Sequence, residues 1–242
     1  MATQEAKAPR RHAGTGALAR VLDYWRRLDG VSGAPPAPLS RQVILFDLAE
    51  RVIVTSVFGT FAYRFVANYA ATANLVTLLL LLAESLPFIF VVLRAPSASL
   101  SRRPEDWAIG IMGSILPLLV TPVEAEPMAP LWLCFTLMLS GLYAQVAAKL
   151  VLGRAFGIIA ANRGVRVLGP YRFVRHPMYA AYTLTHIGFL LSAPSPINAA
   201  FYSMALAFQI ARIFREERVL MQDENYRKFA RRVRYRLLPG VF

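Results

Sequence analysis

Residues 74–93 read Asn74-Leu-Val-Thr-Leu-Leu-Leu-Leu-Leu-Ala-Glu-Ser-Leu-Pro-Phe-Ile-Phe-Val-Val-Leu93, with Glu84 as the one charged side chain. A helix rises 1.5 Å per residue, so about 20 apolar residues cross the hydrocarbon core of a bilayer. This stretch therefore predicts a transmembrane helix. Residues 130–152 predict a second, and shorter or interrupted apolar segments at 48–66, 107–122, 178–193 and 196–213 complete a series of six. The last two are joined by Ser192-Ala-Pro-Ser-Pro-Ile197, which predicts a tight helical hairpin. The fold expected is an all-α, polytopic transmembrane bundle of about six spans with amphipathic helices at its C-terminal end.

Composition agrees. Of 242 residues, 56% are hydrophobic and 17% charged, against about 45–50% and 25% in soluble domains. The formal charge of +13 would suggest nucleic acid in a soluble protein. Here the basic residues lie between apolar segments, as the positive-inside rule requires, and no nucleic-acid partner is expected. The segment before the first span is basic, and so are 94–106 (Arg94, Arg102, Arg103), 149–176 (Lys149, Arg154, Arg163, Arg166, Arg172, Arg175) and the C-terminal stretch. Between them, 67–73 and 192–197 are uncharged and 121–130 holds only Glu124 and Glu126. This alternation places both termini in the cytoplasm. The abundance of Ala, Arg and Leu points to a bacterial inner membrane.

Three regions follow from these patterns: a basic, Pro/Ala-rich segment 1–41, N-terminal transmembrane helices over 42–140, and a C-terminal core over 141–242. Residues 1–41 lack the apolar centre of a secretory signal peptide. Within them, 17–28 fits either a basic amphipathic helix on anionic lipid or a solvated tail. Cys134 is the only cysteine and sits in an apolar run, so it reads as a packing residue. No His, Cys, Asp or Glu cluster has metal-ligand spacing, and no Gly-x-Gly-x-x-Gly follows a strand, so neither a metal nor a Rossmann domain is expected.

The chemistry concentrates in Gly169-Pro-Tyr-Arg-Phe-Val-Arg-His-Pro-Met-Tyr179. Pro177 suits the first position of a helix, which puts Arg175 and His176 at a helix N-terminus, where an anion is stabilised. Tyr179 falls on the first turn. Glu216 and Glu217 leave the sixth segment on the same side of the membrane, and Arg212, one turn earlier, shares a face with Glu216. A site assembled from these residues suits a zwitterionic cofactor with a cationic centre, met by a lipid-soluble acceptor from the bilayer. Glu84 has two readings: contact with an acceptor headgroup, or an interhelical hydrogen bond that offsets the cost of a mid-membrane charge. His186 and Gln209 read as interhelical partners, and Tyr226 and Arg236 as packing of the C-terminal stretch.

Residues from about 141 to 242 resemble the isoprenylcysteine carboxyl methyltransferase and phospholipid methyltransferase superfamily of integral membrane enzymes. The resemblance rests on Leu152-Gly-Arg-Ala-Phe156, Gly169-Pro-Tyr171, Arg175-His-Pro-Met-Tyr179, Glu216-Glu217, Tyr226 and Arg236-Leu-Leu-Pro239. It implies methyl transfer from S-adenosyl-L-methionine. By position, Arg175, His176, Pro177, Met178 and Tyr179 would contact the cofactor. Tyr171 and the run Arg163, Gly164, Val165 and Arg166 would line the same pocket. Glu216 or Glu217 would hold the ribose hydroxyls or the amino group, and Arg212, with Glu216 at the reacting centre, would orient the acceptor. Implied acceptors are a prenylcysteine-like carboxylate, a lipid amine or a thiol. Two rivals stand beside this reading: an NADPH-dependent reductase of the related sterol-reductase type, and a non-catalytic scaffold binding anionic membrane lipid.

Overall fold

The computed structural model describes residues 41–93, 103–152, 165 and 167–242. The expectations for 17–28, Arg94, Arg102, Arg154, Arg163, Gly164 and Arg166 lie outside the described residues. Among those described, all regular structure is helical. Seven α-helices follow in order: α1 (Arg41–Thr72), α2 (Leu75–Leu93), α3 (Pro104–Ile115), α4 (Leu131–Leu152), α5 (Pro177–Ser192), α6 (Pro196–Leu220) and α7 (Glu224–Arg232). Short 3-10 turns occupy Leu116–Leu119 after α3 and Gly169–Arg172 before α5.

Local sequence explains the boundaries. Between α1 and α2 the chain turns at Ala73, which takes φ 52°, and Asn74 Oδ1 accepts the Val76 N–H at 2.9 Å to cap α2. Pro104, Pro177 and Pro196 each stand at the start of a helix, where a missing N–H costs nothing. Asp223 caps α7 by accepting from the Asn225 N–H at 2.8 Å. Pro87 inside α2 withdraws one backbone hydrogen bond from the middle of that helix.

The helices Leu75–Val92, Leu131–Leu152 and Pro196–Leu220 are long and apolar enough to cross a membrane. Leu82, Ile89, Leu139 and Met204 on these helices are exposed, as side chains facing lipid are. Three details differ from expectation. The first apolar segment, expected over 48–66, is part of one helix running from Arg41 to Thr72. The sixth apolar segment does not end at 213 but continues unbroken to Leu220, so Arg212, Glu216 and Glu217 stand on one rigid helix. The expected hairpin of α5 and α6 is short-lived: α5 packs mainly along α4 and α6 along α3, and the backbones of α5 and α6 approach each other only briefly.

Small residues decide that pairing. A Cβ on Gly141 would lie 2.8 Å from the Ala181 carbonyl oxygen, and one on Gly188 would lie 2.8 Å from the Cys134 carbonyl oxygen. The α4–α5 contact is thus close enough to exclude any side chain at either position. At the other end of α6, Asn198 is fully buried and clasps the chain after α3, donating to the Thr121 carbonyl at 2.8 Å and accepting its N–H at 3.1 Å. Two apolar clusters result. One, around Phe61, Phe65, Leu80, Met138 and Phe189, fills the bundle away from the start of α5. The other, around Tyr171, Tyr179, Tyr182, Ile213, Tyr226 and Phe229, packs beneath it.

Candidate active site

The backbones of α5 and α6 have little contact, and long polar side chains bridge the two helices at the end where α5 begins. His176 caps α5 with φ −127° and ψ 58°. Its backbone N–H donates to the Arg236 carbonyl at 2.9 Å, and the Arg175 N–H donates to the Tyr235 carbonyl at 2.9 Å. The stretch after α7 is therefore laced to the Arg175-His-Pro-Met-Tyr179 box through its backbone. Ahead of the box, Gly169 takes φ +58°, a left-handed conformation that favours glycine. It opens the 3-10 turn that buries Tyr171.

The two glutamates have different surroundings. Glu217 is 5% exposed. Its Oε1 lies 2.9 Å from Arg175 Nε and 3.3 Å from His176 Nε2, and its Oε2 accepts from Arg236 Nε at 2.9 Å. The Arg175 contact is an ion pair without hydrogen-bond alignment, since Arg175 Nε has no acceptor in line. Both oxygens of Glu217 are thus committed. Glu216 uses Oε1 to accept from the Tyr179 hydroxyl at 2.6 Å and from Arg212 Nε at 2.9 Å. Its Oε2 has a 3.7 Å approach to His176 Nδ1, and its side chain, 19% exposed against 7% for Glu217, is the more open of the two.

Arg212 also reaches Ser114 on α3 at 3.5 Å, and its guanidinium stands 5.4 Å from the centre of the Tyr179 ring. Outside the spans, burial pushes the Tyr171 phenol well above its ordinary pKa, with the Glu216 charge adding to it. Burial likewise raises Tyr226, with the Glu217 charge second. Both phenols stay protonated donors at neutral pH.

Of the residues singled out from sequence, Tyr171, Arg175, His176, Pro177, Met178, Tyr179, Arg212, Glu216 and Glu217 gather at this end of the bundle, and all but Glu216 are buried. Val165 packs against the same apolar cluster. Arg236 does more than pack the C-terminal stretch: beside its contacts with Phe214 and Phe242, at 5.3 and 5.2 Å from the ring centres, it is a direct partner of Glu217. Sequence reasoning also missed Ser114 and Tyr182. Tyr182 stands one turn beyond Tyr179 on α5, a periodicity that was available to find it; Ser114 carries no such signal.

Beside the site a narrow cavity, open to the outside at one end, extends into the bundle from Tyr179 and Arg212 along the inner faces of α1, α2, α3, α5 and α6. Phe58, Phe88 and Leu118 give it an apolar wall. A buried cluster of paired charges opening on a largely apolar cavity within a helical bundle suits a molecule with one polar and one lipophilic part.

Comparison with known proteins gives this site a class. Residues 128–228, which include α4, α5, α6 and the start of α7, match the family model described as phospholipid methyltransferase. This segment is therefore similar to that of integral membrane methyltransferases. The matched family belongs to the superfamily that joins the isoprenylcysteine carboxyl and phospholipid methyltransferases. No curated protein matches the chain.

Proposed function

We propose that the protein transfers a methyl group from S-adenosyl-L-methionine to a lipophilic acceptor that enters from the bilayer. The observation that carries this reading is the asymmetry of the glutamate pair. Glu217 is consumed in holding Arg175, His176 and Arg236 together, whereas Glu216 keeps Oε2 for a donor beside the N-terminus of α5. The donor set fits the cofactor: a carboxylate for ribose hydroxyls or an ammonium, a helix N-terminus for a carboxylate, and tyrosine rings around a cationic sulfur.

When bound, the cofactor supplies an electrophilic methyl on a sulfonium, displaced in line. The protein's share is positioning and exclusion of water. Glu216 accepts from the polar groups of the cofactor, while Arg212 and Tyr179 fix that carboxylate by two hydrogen bonds to its other oxygen. His176 stands against both glutamates and closes the floor. Tyr171 and Tyr182 complete an apolar wall. The site faces the cytoplasm of a bacterial inner membrane in this reading, and membrane lipid surrounds the apolar helices.

Each of the three arginines at the site is held by a glutamate, so none stands ready for the phosphates of NADPH. The test is calorimetric titration of the detergent-purified protein with S-adenosylmethionine and, separately, with NADPH. Saturable uptake of the first alone, weakened at least tenfold in His176→Ala, is the expected result. Uptake of NADPH alone would replace the reading with the reductase, and binding of neither would leave the scaffold. Labelled-methyl transfer to lipid amines, carboxylates and thiols then identifies the acceptor.

A further inference from the structure

The cavity beside the candidate site holds a polar patch for which the positioning of the cofactor has no use. Glu84 on α2 and Gln209 on α6 both line it, at 6% and 4% exposure. Glu84 Oε1 is bonded to His186 Nε2 on α5 at 3.2 Å. The imidazole is held in turn by near-parallel stacking on Tyr202, ring centres 4.1 Å apart, and on Tyr182 at 6.5 Å. That packing fixes the ring and, through it, the carboxylate. Gln209 Oε1, by contrast, has no hydrogen-bond partner among the described residues.

An interhelical link would explain Glu84 and His186, but it leaves Gln209 unexplained. A buried carbonyl oxygen without a donor costs about 1–3 kcal/mol, and a carboxylate far inside a membrane costs about 2.5–3.5 kcal/mol or more. The Glu84 carboxylate and the Gln209 amide oxygen both accept hydrogen bonds, and the lining around them includes the apolar Val54, Phe58 and Phe88. A ligand that satisfies this chamber brings a hydrogen-bond donor and an aliphatic or aromatic remainder. An anionic group at the patch would meet the Glu84 carboxylate, while the nearest cations, Arg212 and Lys149, are engaged by Glu216 and Gln145. His186 lies two helical turns beyond Tyr179 on α5, about 10 Å along the axis, so the patch sits deeper in the bundle than the Glu216 site.

We propose that Glu84 and Gln209 form the specificity element of an acceptor chamber, selecting lipophilic molecules that present a hydrogen-bond donor, an ammonium or a hydroxyl, some two helical turns inside Tyr179. The proposal rests on the methyltransferase reading for calling the occupant an acceptor, but not for its binding. It divides acceptor choice between α2, which precedes the segment matching the phospholipid methyltransferase family, and α6 within that segment.

The test uses the full chain in lipid nanodiscs and four probes of one chain length: dodecylamine, dodecanol, methyl dodecyl ether and dodecanoate. Thermal melting is followed as each is added at equal membrane fraction. Dodecylamine and dodecanol should raise the melting temperature, and the ether and dodecanoate should not. Gln209→Leu, which keeps the volume and removes the carbonyl, should raise the half-saturating amount of both active probes about tenfold. Glu84→Gln should do so for dodecylamine most strongly. A response to dodecylamine alone would narrow the occupant to cations, and one to dodecanol alone to hydroxyls. Equal responses to all four probes, or unchanged responses in both variants, would overturn the proposal; Gln209→Leu decides it alone if Glu84→Gln does not fold. Calorimetry with S-adenosylmethionine on the same samples separates the two ideas. Selective probes without cofactor uptake remove the methyltransferase reading and keep the chamber, and cofactor uptake without selectivity does the reverse.

Discussion

Glu216 and Glu217 are chain neighbours, yet a helix turns them about 100° apart, and that rotation separates their work. Glu217 faces Arg175, His176 and Arg236 with both oxygens engaged, and removing one member of a buried charge network strands the others. Glu217→Ala should therefore cost about 3 kcal/mol of stability, read as a lowered melting temperature in detergent. Glu216→Gln keeps the acceptor oxygen but removes the charge facing buried Arg212, so it should lower the melting temperature less than Glu217→Ala while weakening S-adenosylmethionine binding about tenfold, an effect of one charge-assisted hydrogen bond. The buried phenols make a further residue-level expectation. Tyr171 and Tyr226 have pKa values raised above the ordinary value of about 10. Folding thus favours their neutral form: the stabilisation is complete below pH of about 10 and is lost as pH rises through the folded values. Spectrophotometric alkaline titration should show these phenols ionising only as the protein unfolds, and Tyr171→Phe should flatten the fall in stability above pH of about 10.

At the scale of elements, the pairing of α4 with α5 places the box. Gly141 and Gly188 allow backbones to meet where any Cβ would strike a carbonyl oxygen at 2.8 Å. Gly141→Val should push α5 away from α4 and with it His176 and Tyr179 away from Glu216. The measurable result is loss of several kcal/mol of stability, followed by circular dichroism on heating, together with loss of cofactor binding. Ala70→Val, at an exposed position on α1, serves as the control that should change neither. The box itself was legible in the sequence, because Pro177 marks a helix start and Arg212 and Glu216 stand one turn apart. The partnership of Glu217 with Arg236 was not. A basic residue 19 positions along the chain resembles every other arginine in that stretch until the turn after α7 folds it back.

For the whole molecule, the order of charged and uncharged loops predicts a side for each end of the bundle. The candidate site lies at the end rich in arginine, and the polar groove formed by Asn68, Asn74, Glu124 and Glu126 lies among the loops of the other end. In a Cys134→Ser background, Glu126→Cys should react with an impermeant maleimide added outside intact cells. Gln222→Cys, in the turn before α7, should react only in inverted vesicles. The reverse pattern would overturn the orientation. Cys134 itself is fully buried, so its replacement by serine should leave the fold in place. The contact between Glu84 and His186 spans 102 positions and ties α2, ahead of the family segment, to α5 inside it.

The sequence by itself determined that the chain is a bundle of apolar helices, where the proline-led helices begin, and which short motif resembles the family's. These are local properties: hydropathy over some twenty residues, proline at a first turn, and charges spaced by one helical turn. Only the tertiary structure decided which helices touch, which of two adjacent glutamates has both oxygens engaged, and what Glu84 faces. Those answers depend on contacts between residues far apart in the chain. They are set by where a glycine lets two backbones approach and where a buried charge finds its partner, and neither periodicity nor composition records them.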